Sequence, residues 1–245
     1  MFLKAAINGG RTRDEHAAVP LSVDEIAIEA VRAQMSGAAV VHAHARTEDG
    51  GQTIAPDAIG EMVRAVRAAD PSVIIGTTTG LWTCSGHEER MRMIADWPED
   101  ALPDFASVAF SEEGAAETAE LVLERGMVLE SAVWSMDDVP ALLAASTLDR
   151  NVRILIEPED EDPDDAIRAC REIAARLREA GVTAPVLYHG YDQTTWPVVT
   201  AAIEDGVEAR IGFEDVLLMP NGEPAMSNAE MIQEVLGQAA AAQRR

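Results

Sequence analysis

His42 and His44 stand two residues apart at the end of the apolar run Val40-Val41. On an extended strand, residues i and i+2 point to the same face, so both imidazoles enter one space and can offer two nitrogen ligands to a metal ion. Far along the chain, Arg210-Ile211-Gly212-Phe213-Glu214-Asp215 supplies two adjacent carboxylates and a guanidinium. Two histidines and one carboxylate leave an open coordination position and suit zinc acting as a Lewis acid on a substrate oxygen. A non-haem iron centre takes the same donors, so ligand type leaves another divalent metal open. On this reading His42, His44 and Glu214 hold the metal and Asp215 is a base. Arg210 either grips a carboxylate with its planar fork or pairs with Asp215.

These residues meet only if the fold brings positions 42 and 214 together. Short apolar runs alternate with longer amphipathic ones along all 245 residues. Strands are predicted at Leu3–Ile7, Ala39–His44, Val73–Thr78, Phe105–Phe110, Met127–Val133, Val152–Ile156, Val186–His189 and Ala209–Gly212. Each is followed by a helical pattern. The first has the Ser22-x-x-Glu25 capping box and a stop at Gly37, and the second carries Ile59, Met62, Val63 and Val66 at helical spacing. Eight strand–helix units without a linker or composition break predict a single (β/α)8 TIM barrel over residues 1–245. A doubly wound open sheet is the runner-up, but the first strand lacks a following Gly-x-Gly-x-x-Gly. Barrel chemistry sits at the carboxyl ends of strands. Asn8, His42, His44, Thr78, Ser111, Glu130, Glu157, His189 and Glu214 all fall at or near such ends.

The formal net charge is −24. It argues against nucleic acid and anionic membranes as partners, and it leaves any anionic ligand dependent on a local basic patch. The first seven residues are too short for a signal peptide, and no stretch reaches the ~20 apolar residues of a membrane span. A soluble, cytoplasmic protein is expected. Cys84 and Cys170 lie in no metal or redox spacing, as in a reducing compartment. The run Glu159-Asp160-Glu161-Asp162-Pro163-Asp164-Asp165 reads as a solvated loop whose carboxylates favour the start of the next helix.

Several stretches resemble the β-keto acid cleavage enzymes. Ala6-Ile7-Asn8-Gly9-Gly10 followed by Glu15 is similar to that family's first strand and loop, and Pro20 to Ala27 to its first helix. Gly37 to Arg46, with Asp49-Gly50, is similar to its zinc-histidine segment. Thr78-Thr79-Gly80, Arg210-x-Gly-x-Glu214-Asp215 and Ser227-Asn228-Ala229 follow in order. The resemblance implies a zinc-dependent barrel, expected to be a homo-oligomer. It would condense a small β-keto acid with acetyl-CoA, giving acetoacetate and a new CoA ester through Claisen and retro-Claisen steps. It implies zinc on His42, His44 and Glu214, and Asp215 as base supported by Arg210 and the Thr78 hydroxyl. Glu15 aligns with an active-site glutamate. Asn8, Thr79, Gly80, Glu130 and His189 are expected to contact substrate. His16 is expected near the barrel mouth, and Trp82, Trp134 and Trp196 either line the pocket or pack.

Two segments depart from the family pattern. Its Asn- and Gly-rich fourth-strand end is replaced by Ala109-Phe110-Ser111-Glu112-Glu113-Gly114, and its glycine-rich turn after strand six by Glu157-Pro158-Glu159-Asp160. Both add negative charge to loops that would shape the substrate and CoA pocket. A metal-dependent lyase or aldolase without a CoA step, and a non-catalytic metabolite-binding barrel, are the other functions compatible with these residues.

Overall fold

The structure is a computed structural model describing residues 1–244. Eight parallel strands close into a barrel: β1 Leu3–Ala6, β2 Val40–His42, β3 Ile75–Thr78, β4 Phe105–Ala109, β5 Val128–Val133, β6 Asn151–Ile156, β7 Val186–Tyr188 and β8 Glu208–Ile211. The helices between and after them are α1 Val23–Met35, α2 Pro56–Ala69, α3 His87–Ala95, α4 Ala115–Glu124, α5 Val139–Ala144, α6 Pro163–Glu179, α7 Thr195–Asp205 and α8 Asn228–Ala242. The predicted barrel is the observed one. The seam pairs β1 with β8 through Ala5 and Ile211, while β1 pairs on its other edge with β2 through Ala6 and His42. Glu214 and the two histidines therefore flank the same strand.

Helix starts follow local chemistry. Ser22 accepts from the Glu25 amide, and the Glu25 carboxylate accepts from the Ser22 amide at 3.0 Å, so the predicted capping box closes α1. Asp162 caps α6 by accepting from the amides of Asp164 and Asp165, with Pro163 at the first helical position. Ala166, Cys170, Ile173, Ala174 and Leu177 on α6 are buried against the barrel. Each larger apolar side chain among them contributes about 1.5–3 kcal/mol when fully buried. That anchors the loop leaving β6, whose acidic residues face the barrel mouth. The Cys170 thiol, pushed up to about 12 by its burial, stays protonated.

The barrel interior is not purely apolar. Lys4 on β1 and Arg153 on β6 both ion-pair with Glu130 on β5, and Arg153 Nε also holds Glu208 at 2.6 Å. The Lys4 ammonium lies 5.0 Å from the centre of the Phe105 ring, and the Arg153 guanidinium 4.0 Å from that of Phe2. Glu130 is the third residue of β5, so it sits on this floor and not among the carboxyl-terminal ends. The expectation that it contacts substrate is corrected: it is fully buried and neutralised from two sides. Among the described residues no helix is long and apolar enough to cross a membrane.

Candidate metal centre and substrate cavity

β2 ends at His42, and the chain stays extended long enough for His44 to face the same way. Their Nε2 atoms are 3.0 Å apart. Glu214, three residues beyond β8, places its carboxylate 3.5 Å from His44 Nε2 and 3.7 Å from His42 Nε2. Two ligands on a tetrahedral zinc at its usual bond lengths stand roughly 3.4 Å apart, so the three separations bracket that value. The side chains are held from behind. His44 Nδ1 donates to Gln52 Oε1, an acceptor only, which leaves the lone pair on Nε2 facing its neighbours. Asn8 clamps the His44 backbone, accepting from its amide at 2.8 Å and donating to its carbonyl at 2.9 Å. Glu214 gets close because Gly9 has no side chain: a Cβ there would lie 2.1 Å from Glu214 Cγ, and Gly9 holds φ +46°.

This cluster is incomplete as protein alone: among the described residues Glu214 Oε2 has no hydrogen-bond partner, and the buried His42 Nε2 faces only His44 Nε2 and the Glu214 carboxylate. Burial holds the His42 imidazole well below its usual range, against the pull of Glu214, so it is neutral and able to donate a lone pair. Burial pushes Glu214 upward, but Arg210, His44 and His42 overcome it and keep the carboxylate ionised. A buried neutral imidazole and an ionised carboxylate are donor states that a divalent cation requires. These residues fit a metal ion.

A second charged group lies against the first. Arg210 donates to Asp215 Oδ1 through Nε at 2.9 Å and Nη2 at 2.6 Å, and its Nη2 also reaches Glu214 Oε1 at 2.8 Å. His189, just past β7, sits between two carboxylates, with Nε2 3.0 Å from Asp215 Oδ1 and Nδ1 3.0 Å from Glu157 Oε1. Burial and Arg210 push the His189 imidazole down, yet Asp215 and Glu157 outweigh them and raise it above its usual value. Glu157 is lowered to about 2, its burial outweighed by His189, Arg210 and Lys4. Among the described residues Asp215 Oδ2 is left without a partner.

The metal cluster opens into a cavity of about 610 Å³, within the range of small-ligand sites. Of the expected site residues, His42, His44, Thr78, His189, Arg210 and Glu214 line it. Asp215 does not. It is fully buried behind the wall residues that bond it. The Thr78 hydroxyl accepts from the Gly80 amide at 2.9 Å, and no hydrogen bond joins it to Asp215 among the described residues.

Three further expectations of substrate contact, and the active-site place expected for Glu15, do not match this geometry. Asn8 is spent on the His44 backbone, and Thr79 donates to the Ser107 carbonyl at 2.8 Å. Gly80 stands under Trp82, whose ring leaves no room for a Cβ there. Glu15 is drawn away by Arg11 at 3.2 Å and by the Thr12 amide at 2.8 Å, and it lines a separate groove beside α7 with His16 and Trp196. Trp82 and Trp134 line the main cavity.

Sequence reasoning missed one residue behind the cluster and one in the cavity wall. Gln52 lies ten positions after His42 in a polar loop with no local signal of a partner. Asp192, at φ +47°, is the only non-glycine residue with positive φ among the described residues; it pairs with Arg11 and lines the wall. The acidic run divides. Asp162, Asp164 and Asp165 serve the start of α6 as expected, whereas Glu159, Asp160 and Glu161 line the cavity.

Comparison with known proteins accords with this arrangement. The family model described as "beta-keto acid cleavage enzyme" matches residues 1–245. The 3-keto-5-aminohexanoate cleavage enzyme of Acetoanaerobium sticklandii is 26% identical over 96% of this chain and 90% of its own length. The enzyme of that name from Fusobacterium nucleatum is 27% identical over the same shares. Among solved structures, the apo form of ObcA superposes with a TM-score of 0.72 at 18% identity. That match covers 90% of this chain, which spans 61% of ObcA's length; at this identity it shows the fold alone.

Proposed function

The chain belongs to the β-keto acid cleavage enzyme family, and from that premise we propose that it uses a zinc ion on His42, His44 and Glu214 to cleave a β-keto acid with acetyl-CoA as cosubstrate. The observation that carries the reading is the two-histidine, one-carboxylate cluster with an unpartnered carboxylate oxygen at the mouth of a ligand-sized cavity. When bound, the metal would supply Lewis acidity toward the substrate's keto and carboxylate oxygens, making the carbon between them more acidic.

The protein's own groups do the rest. Gln52 and Asn8 fix His44, so the ligand set is ready before substrate arrives. The proton from the central carbon ends on the Asp215–His189 pair: His189 lines the cavity, and Asp215 Oδ2 has free lone pairs to accept it. Arg210 holds Asp215 Oδ1 in place and spreads positive charge over the side of the site where negative charge develops. The carbon nucleophile then attacks the acetyl thioester. The released CoA thiolate attacks the ketone, and the carbon–carbon bond breaks to give acetoacetate and a new CoA ester.

Purified protein supplied with zinc, acetyl-CoA and a panel of β-keto acids should form acetoacetate. Absence of turnover across a broad panel would overturn the reading. Asp215→Asn should keep its zinc and lose turnover, and a fully active variant would remove Asp215 from the proton-accepting pair.

A further inference from the structure

We propose that Trp82 is a positioning residue of the metal centre: its indole N–H sets the direction of the Gln52 amide, and that amide sets the tautomer of His44. The inference rests on the zinc reading and adds a residue to it. Gln52 Oε1 faces His44 Nδ1 on one side and accepts from Trp82 Nε1 at 3.4 Å on the other. A carbonyl oxygen has two lone pairs and can take both donors, while an indole nitrogen can only donate. The backbone bridge between Arg46 and Gln52 brings the side chain to His44, but it leaves the amide free to turn over. The other end of the amide gives no direction. Gln52 Nε2 lies over Gly10, where a Cβ would be 2.9 Å away, and makes no hydrogen bond among the described residues. Turned over, the amide would set its NH2 group against the indole N–H, donor against donor, and His44 Nδ1 would have to accept. The imidazole proton would then sit on Nε2, which faces His42 and Glu214, and no lone pair would remain there for a metal.

The wrong tautomer has support of its own in the metal-free protein. A proton on His44 Nε2 has Glu214 Oε1 at 3.5 Å and His42 Nε2 at 3.0 Å as acceptors. Gln52 opposes that state only while Oε1 points at His44, and Trp82 is the other donor that holds Oε1 there. The tryptophan is itself held, although it is 54% exposed. It follows Leu81, whose amide donates to the two Glu112 oxygens at 2.9 and 3.0 Å, and the fully buried Arg90 grips Glu112 at 2.6 Å. On its inner side the ring covers Gly80, where a Cβ would lie 2.3 Å from it. Glu112 belongs to the segment that departs from the family pattern after the fourth strand. It is spent on this clasp and lines no part of the main cavity. An outward-facing indole, clasped at its backbone with its N–H turned to Gln52, is a directional donor as well as a wall.

The test reads the tautomer directly and does not depend on turnover. In metal-free protein carrying isotope-labelled histidine, the ring-nitrogen NMR shifts of His44 should show a proton on Nδ1 alone, the signal being assigned by its loss in His44→Ala. Trp82→Phe keeps an aromatic ring and removes the donor. It should turn the His44 signal into a mixture of tautomers and weaken zinc binding roughly three- to tenfold by equilibrium dialysis, the share of one ordinary hydrogen bond. Gln52→Glu separates the direction of the amide from everything else that Trp82 does, because a carboxylate presents an acceptor whichever way it lies. In that background Trp82→Phe should leave zinc affinity within about twofold. An unchanged tautomer in Trp82→Phe, with or without a fall in affinity, would overturn the inference alone. So would an equally large loss of affinity in the Gln52→Glu background, which would leave Trp82 only its packing. If the unaltered protein takes up no zinc, the zinc reading falls, and the inference with it.

Discussion

The barrel contains two clusters of buried ionisable side chains, and they end in opposite states. On the floor, Lys4, Arg153, Glu130 and Glu208 satisfy one another; none of their polar atoms is left alone among the described residues, and they border no part of the main cavity. At the mouth, His42, Glu214 and Asp215 each keep an atom without a partner, and His42 and Glu214 face open space. Burying charge is costly wherever it occurs. A saturated cluster offsets that cost within itself, while an unsaturated one leaves valence for a guest. The contrast teaches that the state of its partners, and not the presence of a buried charge, separates scaffold from site.

The contrast can be broken by mutation. The largest effect is expected on the floor. Lys4→Ala leaves Glu130 short of one of its two cations and should cost about 3–5 kcal/mol in denaturant unfolding, with zinc content of the folded fraction retained. A loss below about 1 kcal/mol would mean that the floor is not a stabilising unit. At the mouth the order should reverse. His44→Ala should lower zinc affinity more than about a hundredfold by equilibrium dialysis with elemental analysis, while stability of the metal-free protein changes far less. Gln52→Leu removes only the orienting acceptor behind His44 and should cost about 10–100-fold in the same measurement.

The smallest change is one of pH dependence, because Glu157 shares His189 and Arg210 with other carboxylates. Its folded value lies near 2 against 4.5 for an unperturbed glutamate, so its contribution is complete above pH 4.5 and is lost as pH falls toward 2. Glu157→Gln should flatten stability against pH across that window. An unchanged acid limb would show that the His189 and Arg210 pairings of Glu157 contribute little.

Most of the scaffold was legible in the residues because each element carries a local reason. The capping box at Ser22 and the Ile59, Met62, Val63, Val66 stripe name their helices directly. The meeting of His42, His44 and Glu214 was legible for a related reason: an i, i+2 histidine pair leaves little freedom about direction, and strand order fixes Glu214 beside it. Glu130 misled because a position near the end of an apolar run says nothing about which end of the barrel it occupies. Asn8 and Glu15 misled because a side chain's partner decides its role. For Asn8 that partner is a backbone 36 residues away, and for Glu15 it is Arg11, which turns the carboxylate from the cavity. Gln52 left no trace in the pattern, since one polar residue in a polar loop has no periodicity to betray it. The acidic run was legible as a solvated loop, since Glu159, Asp160 and Glu161 are exposed, but nothing in a charge run tells that the loop before α6 also borders the mouth.

The close approach of Glu214 to Gly9 has a consequence for how the molecule assembles. The histidines come from the second strand and the carboxylate from just beyond the last, on either side of the seam where β1 meets β8. An ion gripped by all three would fasten a loop of about 170 residues, the kind of long closure that a chain pays most to make in conformational entropy. Until the eighth strand docks the three side chains are not together, and once it has docked such an ion would resist its departure. Metal uptake during refolding would therefore report the closing of the ring, and slow chelation would report its reopening.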